Sequence, residues 1–172
     1  EEYPNALNVD EASAGYEAFS IMNYGIDRNG KFLPVFLVAW GSGQNALLTY
    51  LMIPFIAIFG LSTFAIRLPM AILGGISLVV FYYLLKRMTN KKVAIIGLIF
   101  LAICPWHIMK SRWGLESNLF PDLMLLSIFL IIKGLQDKRK IFQILGYVVA
   151  GILAYSYGTS YFFLPLFFIP LL

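Results

Sequence analysis

The sequence alternates between long apolar segments and short polar turns. Apolar stretches of helical length occur at about 67–85, 93–110, 119–133 and 141–157, and a further one runs over 160–172. A bilayer has a hydrocarbon core about 30 Å thick, which a helix of some 20 apolar residues crosses. The pattern predicts an all-α, polytopic integral membrane protein built as a transmembrane helix bundle.

Residues 1–45 differ from the rest, and they predict an outer loop that holds one amphipathic helix. Asn8 is a suitable N-cap for this helix, and Gly25 suits its C-terminal end. Asp10, Ala14 and Glu17 share one predicted face. Apolar side chains recur at helical spacing along a different face, at Val9, Ala12, Tyr16, Phe19 and Met22.

Residues 46–63 carry no formal charge, but Pro54 and Gly60 interrupt them. Proline and glycine punctuate helices, so this segment is not expected to form one straight helix. We predict a juxtamembrane or broken helix here, ahead of transmembrane helices in 64–172. A separate membrane crossing by 46–63 is the alternative.

The distribution of basic residues predicts the orientation of the helices. The turns 86–92 and 133–140 hold eight of the thirteen lysines and arginines, and such turns face the cytoplasm. Two crossings separate them, so 107–118 lies outside. If 67–85 is the only earlier crossing, the first loop is also outside, whereas a crossing by 46–63 moves it inside. We favour the first arrangement, because it places eight of the nine acids outside.

Composition supports a membrane protein and argues against a nucleic-acid partner. Hydrophobic residues make up 60% and charged residues 13% of the chain, against about 25% charged in soluble domains. The net charge of +4 comes from basic turns between apolar segments. Cys104 has no partner for an intrachain disulfide. The chain opens without a leader, so we interpret it as an internal piece of a larger polytopic protein, lacking the first spanning helix.

Asp10 and Glu11 are the first candidates for chemistry, because ionisable groups at a membrane edge are costly and tend to be functional. A carboxylate within hydrogen-bond reach of an acceptor hydroxyl acts as a general base. The alternative is that the pair only caps the N-terminus of the predicted helix.

A second candidate group is the outer turn "KSRWGLESN", which contains Lys110, Arg112 and Glu116. Two cations beside a carboxylate suit a phosphate, while the acid positions a hydroxyl or a water. Snorkelling side chains with an interfacial ion pair are the alternative. Arg67 is either a phosphate ligand or an interfacial anchor. No Cys/His spacing typical of a metal site occurs.

Other polar and aromatic residues have structural interpretations. His107 is expected to be a hydrogen-bonded structural residue, and Asp122, which follows Pro121, a helix cap. Gly74 suits close helix packing. Aromatic residues near the helix ends suit an interfacial belt: Trp40, Trp106, Trp113, Tyr155, Tyr157 and Tyr161.

The chain resembles a known enzyme group in three stretches, namely "DEA" in the first loop, "FGLSTFAIRLPMAILGG", and "PWHIMKSRWGLESNLFPDL". They are similar to the polyprenyl-phosphate-sugar-dependent membrane glycosyltransferases of the GT-C superfamily. That superfamily includes protein O-mannosyltransferases (glycosyltransferase family 39) and the lipid A aminoarabinose transferase. The resemblance covers nearly the whole chain and corresponds to the amino-terminal part of such enzymes. The stretch "WGSGQNALLTYL" departs from the family pattern, because it lacks an acid and prolines.

The resemblance implies inverting transfer of a sugar from a polyprenyl-phosphate donor to an acceptor on a glycan, lipid or protein, at the outer face of a bacterial plasma membrane. It matches Asp10 to the base, with Glu11 beside it, and Glu116 to the acid of the next outer loop. We expect Arg67, Lys110 and Arg112 to hold the lipid phosphate. No cofactor is assigned, and a divalent metal is left as an option.

Two classes of non-enzymatic protein are the alternatives. One is a lipid-linked sugar flippase or transporter subunit, for which we would expect an internal repeat and ionisable residues at the membrane midplane. The other is a membrane-anchored assembly factor whose first loop docks a partner. The sequence shows neither transporter feature.

Overall fold

The computed structural model describes residues 6–39 and 41–168. The predicted belt position of Trp40 and the final part of the last apolar stretch, 169–172, lie outside the described residues. The described part contains helices and one β-hairpin, in this order: α1 (Val9–Tyr24), β1 (Phe36–Ala39), β2 (Ser42–Asn45), α2 (Leu47–Phe59), α3 (Thr63–Met88), α4 (Lys91–Ile103), α5 (Pro105–Arg112), α6 (Glu116–Gln136), α7 (Lys140–Leu153) and α8 (Ser160–Phe168).

In the described part of the chain, two helices, α3 and α6, are long and apolar enough to cross a membrane. The predicted span 93–110 is not one straight helix, because α4 and α5 meet at an angle of 58°. The cause is Pro105, which restricts the preceding Cys104 to extended backbone, and Cys104 has φ −66° and ψ 119°. Taken together, α4 and α5 make a third, broken span. These helices confirm the predicted all-α polytopic class.

Helices α6 and α7 form a closely packed antiparallel pair. The hydroxyl of Ser127 donates a hydrogen bond of 2.9 Å to the carbonyl oxygen of Gly146. The Gln143 amide donates one of 3.1 Å to the carbonyl oxygen of Gly134. Glycines let helix backbones approach within reach of such bonds. Helix α7 ends at Leu153 rather than near residue 157, because turns follow it.

The two basic turns lie together at one end of the bundle. Arg87, at the end of α3, makes an ion pair of 2.8 Å with Asp137, at the end of α6. We call this the basic end. Helix α1, the hairpin and the start of α6 lie at the opposite end, which we call the loop end. The orientation of these two ends across the membrane stays a prediction.

Helix α1 packs on the bundle with a face different from the predicted one. Asn8 caps the helix and Gly25 ends it in the left-handed conformation (φ 72°), as expected. The expected apolar face is only partly inward: Val9 and Tyr16 are more than half exposed, whereas Phe19 and Met22 pack against the core. The buried face instead carries small residues with two acids: Glu11, Ser13, Ala14, Gly15, Glu17, Ala18, Ser20 and Ile21.

The physical reason is close approach combined with ion pairing. A Cβ on Gly15 would lie 2.4 Å from a side-chain carbon of Ile66, so only a small residue fits between α1 and α3. Glu17 is buried because Arg28 pairs with it and also bonds Ser13. Cationic partners from elsewhere in the chain thus allow acids onto the inner face.

Helix α2 lies at the loop end and completes the core. Its buried side chains pack with residues of α1, α3 and α6 in one apolar cluster: Ala14, Ala18, Leu48, Met52, Ile56, Ala65, Ile66, Met70 and Leu119. The backbone of Asn45, before α2, bonds Glu116 at the start of α6. At the other end of α2 the ring of Phe59 lies 5.3 Å from that of Phe64 in α3. Both ends of α2 therefore lie near the loop end.

The close packing of α7 on α6 gives a test within one helix. A Cβ at Gly146 would lie 2.6 Å from a side-chain carbon of Ile131, whereas at Gly151 it would meet nothing within 4 Å. We expect Gly146→Ala to lower the free energy of unfolding by about 1–3 kcal/mol through overpacking. Thermal unfolding in detergent measures this, and Gly151→Ala is the matched control. Equal midpoints for the two variants would contradict the packing.

Candidate functional site

Glu11 is a buried anchor that joins three parts of the chain. Its side chain is 1% exposed. The Arg67 guanidinium donates two hydrogen bonds of 2.8 Å to its two oxygens. The backbone N–H groups of Gly114 and Asn8 donate further bonds of 2.8 and 3.0 Å. The carboxylate of α1 is therefore tied to α3 and to the turn before α6.

The surroundings of Glu11 keep it ionised. Burial works to raise its pKa, but the hydrogen bonds from Arg67 and from the backbone of Asn8 and Gly114 outweigh burial, so the pKa lies below its ordinary value. A carboxylate with donors on both oxygens and a low proton affinity is a poor general base. In this arrangement Glu11 fixes geometry, and its neighbour Asp10 is left to face the solvent.

Asp10 and Glu116 line one cleft of about 260 Å³, which we call the acidic cleft. Its other walls come from the hairpin, the start of α6 and the segment after α7: Ser42, Gly43, Gln44, Leu115, Ser117 and Tyr157. Glu116 accepts a hydrogen bond from the backbone N–H of Asn45, which fixes the hairpin beside it. The cleft thus offers two carboxylates together with hydroxyl and amide groups that suit a polar substrate.

Local sequence explains how Asp10 reaches the cleft. The side chain of Asn8 accepts from the Asp10 backbone N–H at 3.1 Å, and the Glu11 carboxylate accepts from the Asn8 backbone, so a capping box holds the first turn. Gly114 has no side chain between Glu11 and α3, where a Cβ would lie 3.0 Å from the carbonyl oxygen of Ile66. A side chain at this position would therefore be crowded against α3.

A second pocket, which we call the arginine pocket, lies between α3 and α5. It has a volume of about 160 Å³ and is lined by Thr63, Phe64, Arg67, Leu68, Ala71, Ser111 and Arg112. Two guanidinium groups beside apolar walls suit an anionic headgroup on a hydrocarbon chain. Arg67 belongs both to this pocket and to the Glu11 anchor, so the two candidate sites are joined through one ion pair.

The predicted site residues lie in four different places in the structure. Asp10 and Glu116 come together in the acidic cleft, and Arg67 and Arg112 come together in the arginine pocket. Glu11 is occupied as the anchor. Lys110 is directed away from the arginine pocket and forms a buried ion pair with Asp122.

Asp122 and His107 are the two polar residues for which the sequence suggests structural roles. Asp122 is not a helix cap, because it lies inside α6 and pairs with Lys110. His107 is buried in α5 beside the backbone of Gly74, and its structural role stays a prediction.

The sequence did not reveal the hairpin wall or the role of Tyr157. The hairpin segment "FLVAWGSGQN" has no clear alternation of apolar and polar residues, and only its glycines indicate a turn. The sequence suggests an interfacial belt for Tyr157, whereas its position in the cleft depends on the path of the chain after α7. Among the described residues, no group of three or more His, Cys, Asp or Glu side chains is arranged to hold a metal.

Comparison with protein families identifies the family of the chain. The family model described as dolichyl-phosphate-mannose-protein mannosyltransferase matches residues 45–172. The chain belongs to this family. The protein is therefore a membrane glycosyltransferase in the general sense. No curated protein and no solved structure matched the chain.

The family match covers one part of the candidate site. The mannosyltransferase match includes Arg67, Arg112 and Glu116, whereas Asp10 and Glu11 precede it. The assignment of the first-loop acids therefore depends on the geometry of the anchor and the acidic cleft, together with the resemblance in the loop.

The anchor predicts that adjacent acids respond differently to substitution. Glu11→Ala removes the hydrogen bonds that Arg67 and two backbone N–H groups donate to the carboxylate, so we expect a loss of about 3 kcal/mol in the free energy of unfolding. Asp10→Ala is the neighbouring control, because Asp10 is exposed and is expected to change stability by less than about 0.5 kcal/mol. Thermal or denaturant unfolding of the purified protein measures both. Equal losses for the two variants would rule out the anchor.

Proposed function

We propose that this protein is an inverting glycosyltransferase that moves a sugar from a polyprenyl-phosphate donor to an acceptor hydroxyl or phosphate, with Asp10 as the general base. The observation that carries the proposal is the sharing of one cleft by Asp10 and Glu116 while Glu11 is held in the anchor. Of the two adjacent acids, Asp10 is the one with access to a substrate.

The proposed reaction needs an aligned nucleophile and stabilisation of the leaving phosphate. The acceptor oxygen attacks the anomeric carbon from the side opposite the lipid phosphate and loses its proton to Asp10. The bond between the anomeric carbon and the phosphate oxygen breaks, and its electron pair leaves with the polyprenyl phosphate. Alignment and charge stabilisation supply most of the acceleration in such a step. Glu116, which lines the same cleft, orients the acceptor or the sugar.

The arginine pocket is the proposed site of the donor phosphate. Arg67 and Arg112 provide the positive charge, and Phe64, Leu68 and Ala71 provide an apolar surface for the first units of the lipid. Because Glu11 bonds Arg67 and adjoins Asp10, the anchor sets the spacing between phosphate and base. A sugar linked to that phosphate would extend towards the acidic cleft.

The proposed side of reaction is the outer face of the membrane, in a bacterial plasma membrane. The ion pair between Arg87 and Asp137 holds the two basic turns at one end, and basic turns face the cytoplasm. The candidate sites lie at the opposite, loop end. In this orientation α2 lies in the outer interface of the membrane. Its 13 residues extend about 20 Å, which is shorter than a hydrocarbon core of about 30 Å.

Transfer of a labelled sugar tests the proposal in membranes that contain the full-length protein. We expect Asp10→Asn to lose at least about 100-fold in rate, since a general base contributes roughly that factor or more. Glu116→Gln is expected to lose activity as well. The matched control is Asp137→Asn, which removes an acid at the basic end and should retain the wild-type rate.

Each outcome of the transfer experiment has a distinct meaning. Wild-type transfer by Asp10→Asn, at matched expression, would show that Asp10 only caps a helix. A wild-type protein that transfers nothing across a panel of polyprenyl-phosphate donors would favour the flippase or transporter class. An assay with EDTA tests the optional divalent metal, and transfer that survives chelation is the expected result.

A further inference from the structure

Helix α5 is held in place by polar contacts. It has eight residues, and His107, Lys110 and Ser111 share its inner face at helical spacing. The outer side is apolar and exposed, at Trp106, Ile108 and Met109. Apolar packing alone would leave so short a helix free to rotate, whereas ion pairs and hydrogen bonds are directional.

The polar face of α5 binds two neighbouring helices. Lys110 and Asp122 of α6 form an ion pair in which both side chains are about 95% buried. On the other side, the buried side chain of His107 lies beside the backbone of Gly74 in α3. Ser111 packs on the same glycine, where a Cβ would lie 2.1 Å from the Ser111 hydroxyl oxygen. These contacts fix both the distance and the rotation of α5.

The rotation of α5 sets the direction of the residues that line the arginine pocket. Ser111 and Arg112 directly follow Lys110 in the helix, and both line the pocket opposite Arg67. Two residues correspond to about 200° around a helix, so an inward Lys110 directs Arg112 to the other side. A turn of α5 that released Lys110 would also move Arg112 out of the pocket.

The free-energy cost of burying the Lys110–Asp122 pair indicates that the pair positions α5 more than it stabilises the fold. The second oxygen of Asp122 is buried without a hydrogen-bond partner among the described residues. Buried ion pairs are often no more stable than apolar residues of the same volume, and their best supported use is to fix one arrangement against others. Here the pair fixes the rotation of α5 about its own axis.

We propose that the Lys110–Asp122 pair is a positioning device that orients Arg112 towards the donor phosphate. The inference rests on the proposed function for its ligand. It assigns Lys110 a positioning role where direct phosphate binding was expected, because its ammonium group is occupied by Asp122 inside the bundle.

A donor titration of the full-length enzyme tests the proposal. For Asp122→Asn we expect the KM for the polyprenyl-phosphate sugar to rise about tenfold, the scale of one hydrogen bond to a charged group. The acceptor KM is expected to stay unchanged, and Asp122→Glu, which keeps the charge, to recover part of the loss. Ser127→Ala is the matched control, since it removes a buried interhelical bond on the α7 side of α6.

The substitution Gly74→Ala in α3 tests the position of α5 from the opposite side. Its Cβ would displace Ser111 and move α5 without touching either charge, so we expect the same rise in donor KM. If the Asp122→Asn protein does not accumulate, Gly74→Ala serves as the test in its place. An unchanged donor KM in a folded Asp122→Asn or Gly74→Ala enzyme would overturn the inference and leave the proposed function intact.

A labelling experiment separates the inference from the proposed function. With Ser111→Cys in a Cys104→Ser background, maleimide should react several-fold faster when Asp122 is replaced by Asn, because α5 loosens from α3. This readout needs no donor. If the wild type uses no polyprenyl-phosphate sugar, the proposed function fails, and the labelling rate still decides whether the pair positions α5. An unchanged rate would overturn the positioning role.

Discussion

The buried ion pair between Glu11 and Arg67 is the interaction on which the loop end of the structure depends. The first loop is polar, and the bundle beneath it is apolar, so the two need a specific contact to be held together. Glu11 supplies this contact through Arg67 of α3 and the backbone of Gly114 before α6. Removing Arg67 would leave the carboxylate of Glu11, which is 1% exposed, without its cationic partner, which is strongly unfavourable.

The anchor also explains why two adjacent acids have different roles. Successive residues of a helix point in directions about 100° apart, so when Glu11 faces the bundle Asp10 faces the acidic cleft. The arginine that binds Glu11 belongs to the second pocket as well. The spacing of the two candidate sites thus follows from one ion pair, and the polar contacts of α5 orient the opposite wall of the arginine pocket.

Much of the fold was predictable from local patterns, because apolar length, caps and basic turns are local signals. Asn8, Gly25 and the shared side of the two basic turns are examples. The inner face of α1 was not predictable, because the burial of Glu11 depends on an ion pair with Arg67, which lies 56 residues away in the sequence. The pairing of Lys110 with Asp122 was also missed, since it depends on the bend at Pro105 and on the rotation of a short helix.

The most direct test of the central claim is cross-linking of Asp10→Cys to Glu116→Cys by a short bifunctional maleimide, in a Cys104→Ser background. The measurement is made with Arg67 intact and with Arg67→Ala. The anchor predicts efficient cross-linking with Arg67 and a strong reduction without it, because α1 then loses its contact with α3. Absence of the cross-link with Arg67 intact, or an equal yield without Arg67, would contradict the account.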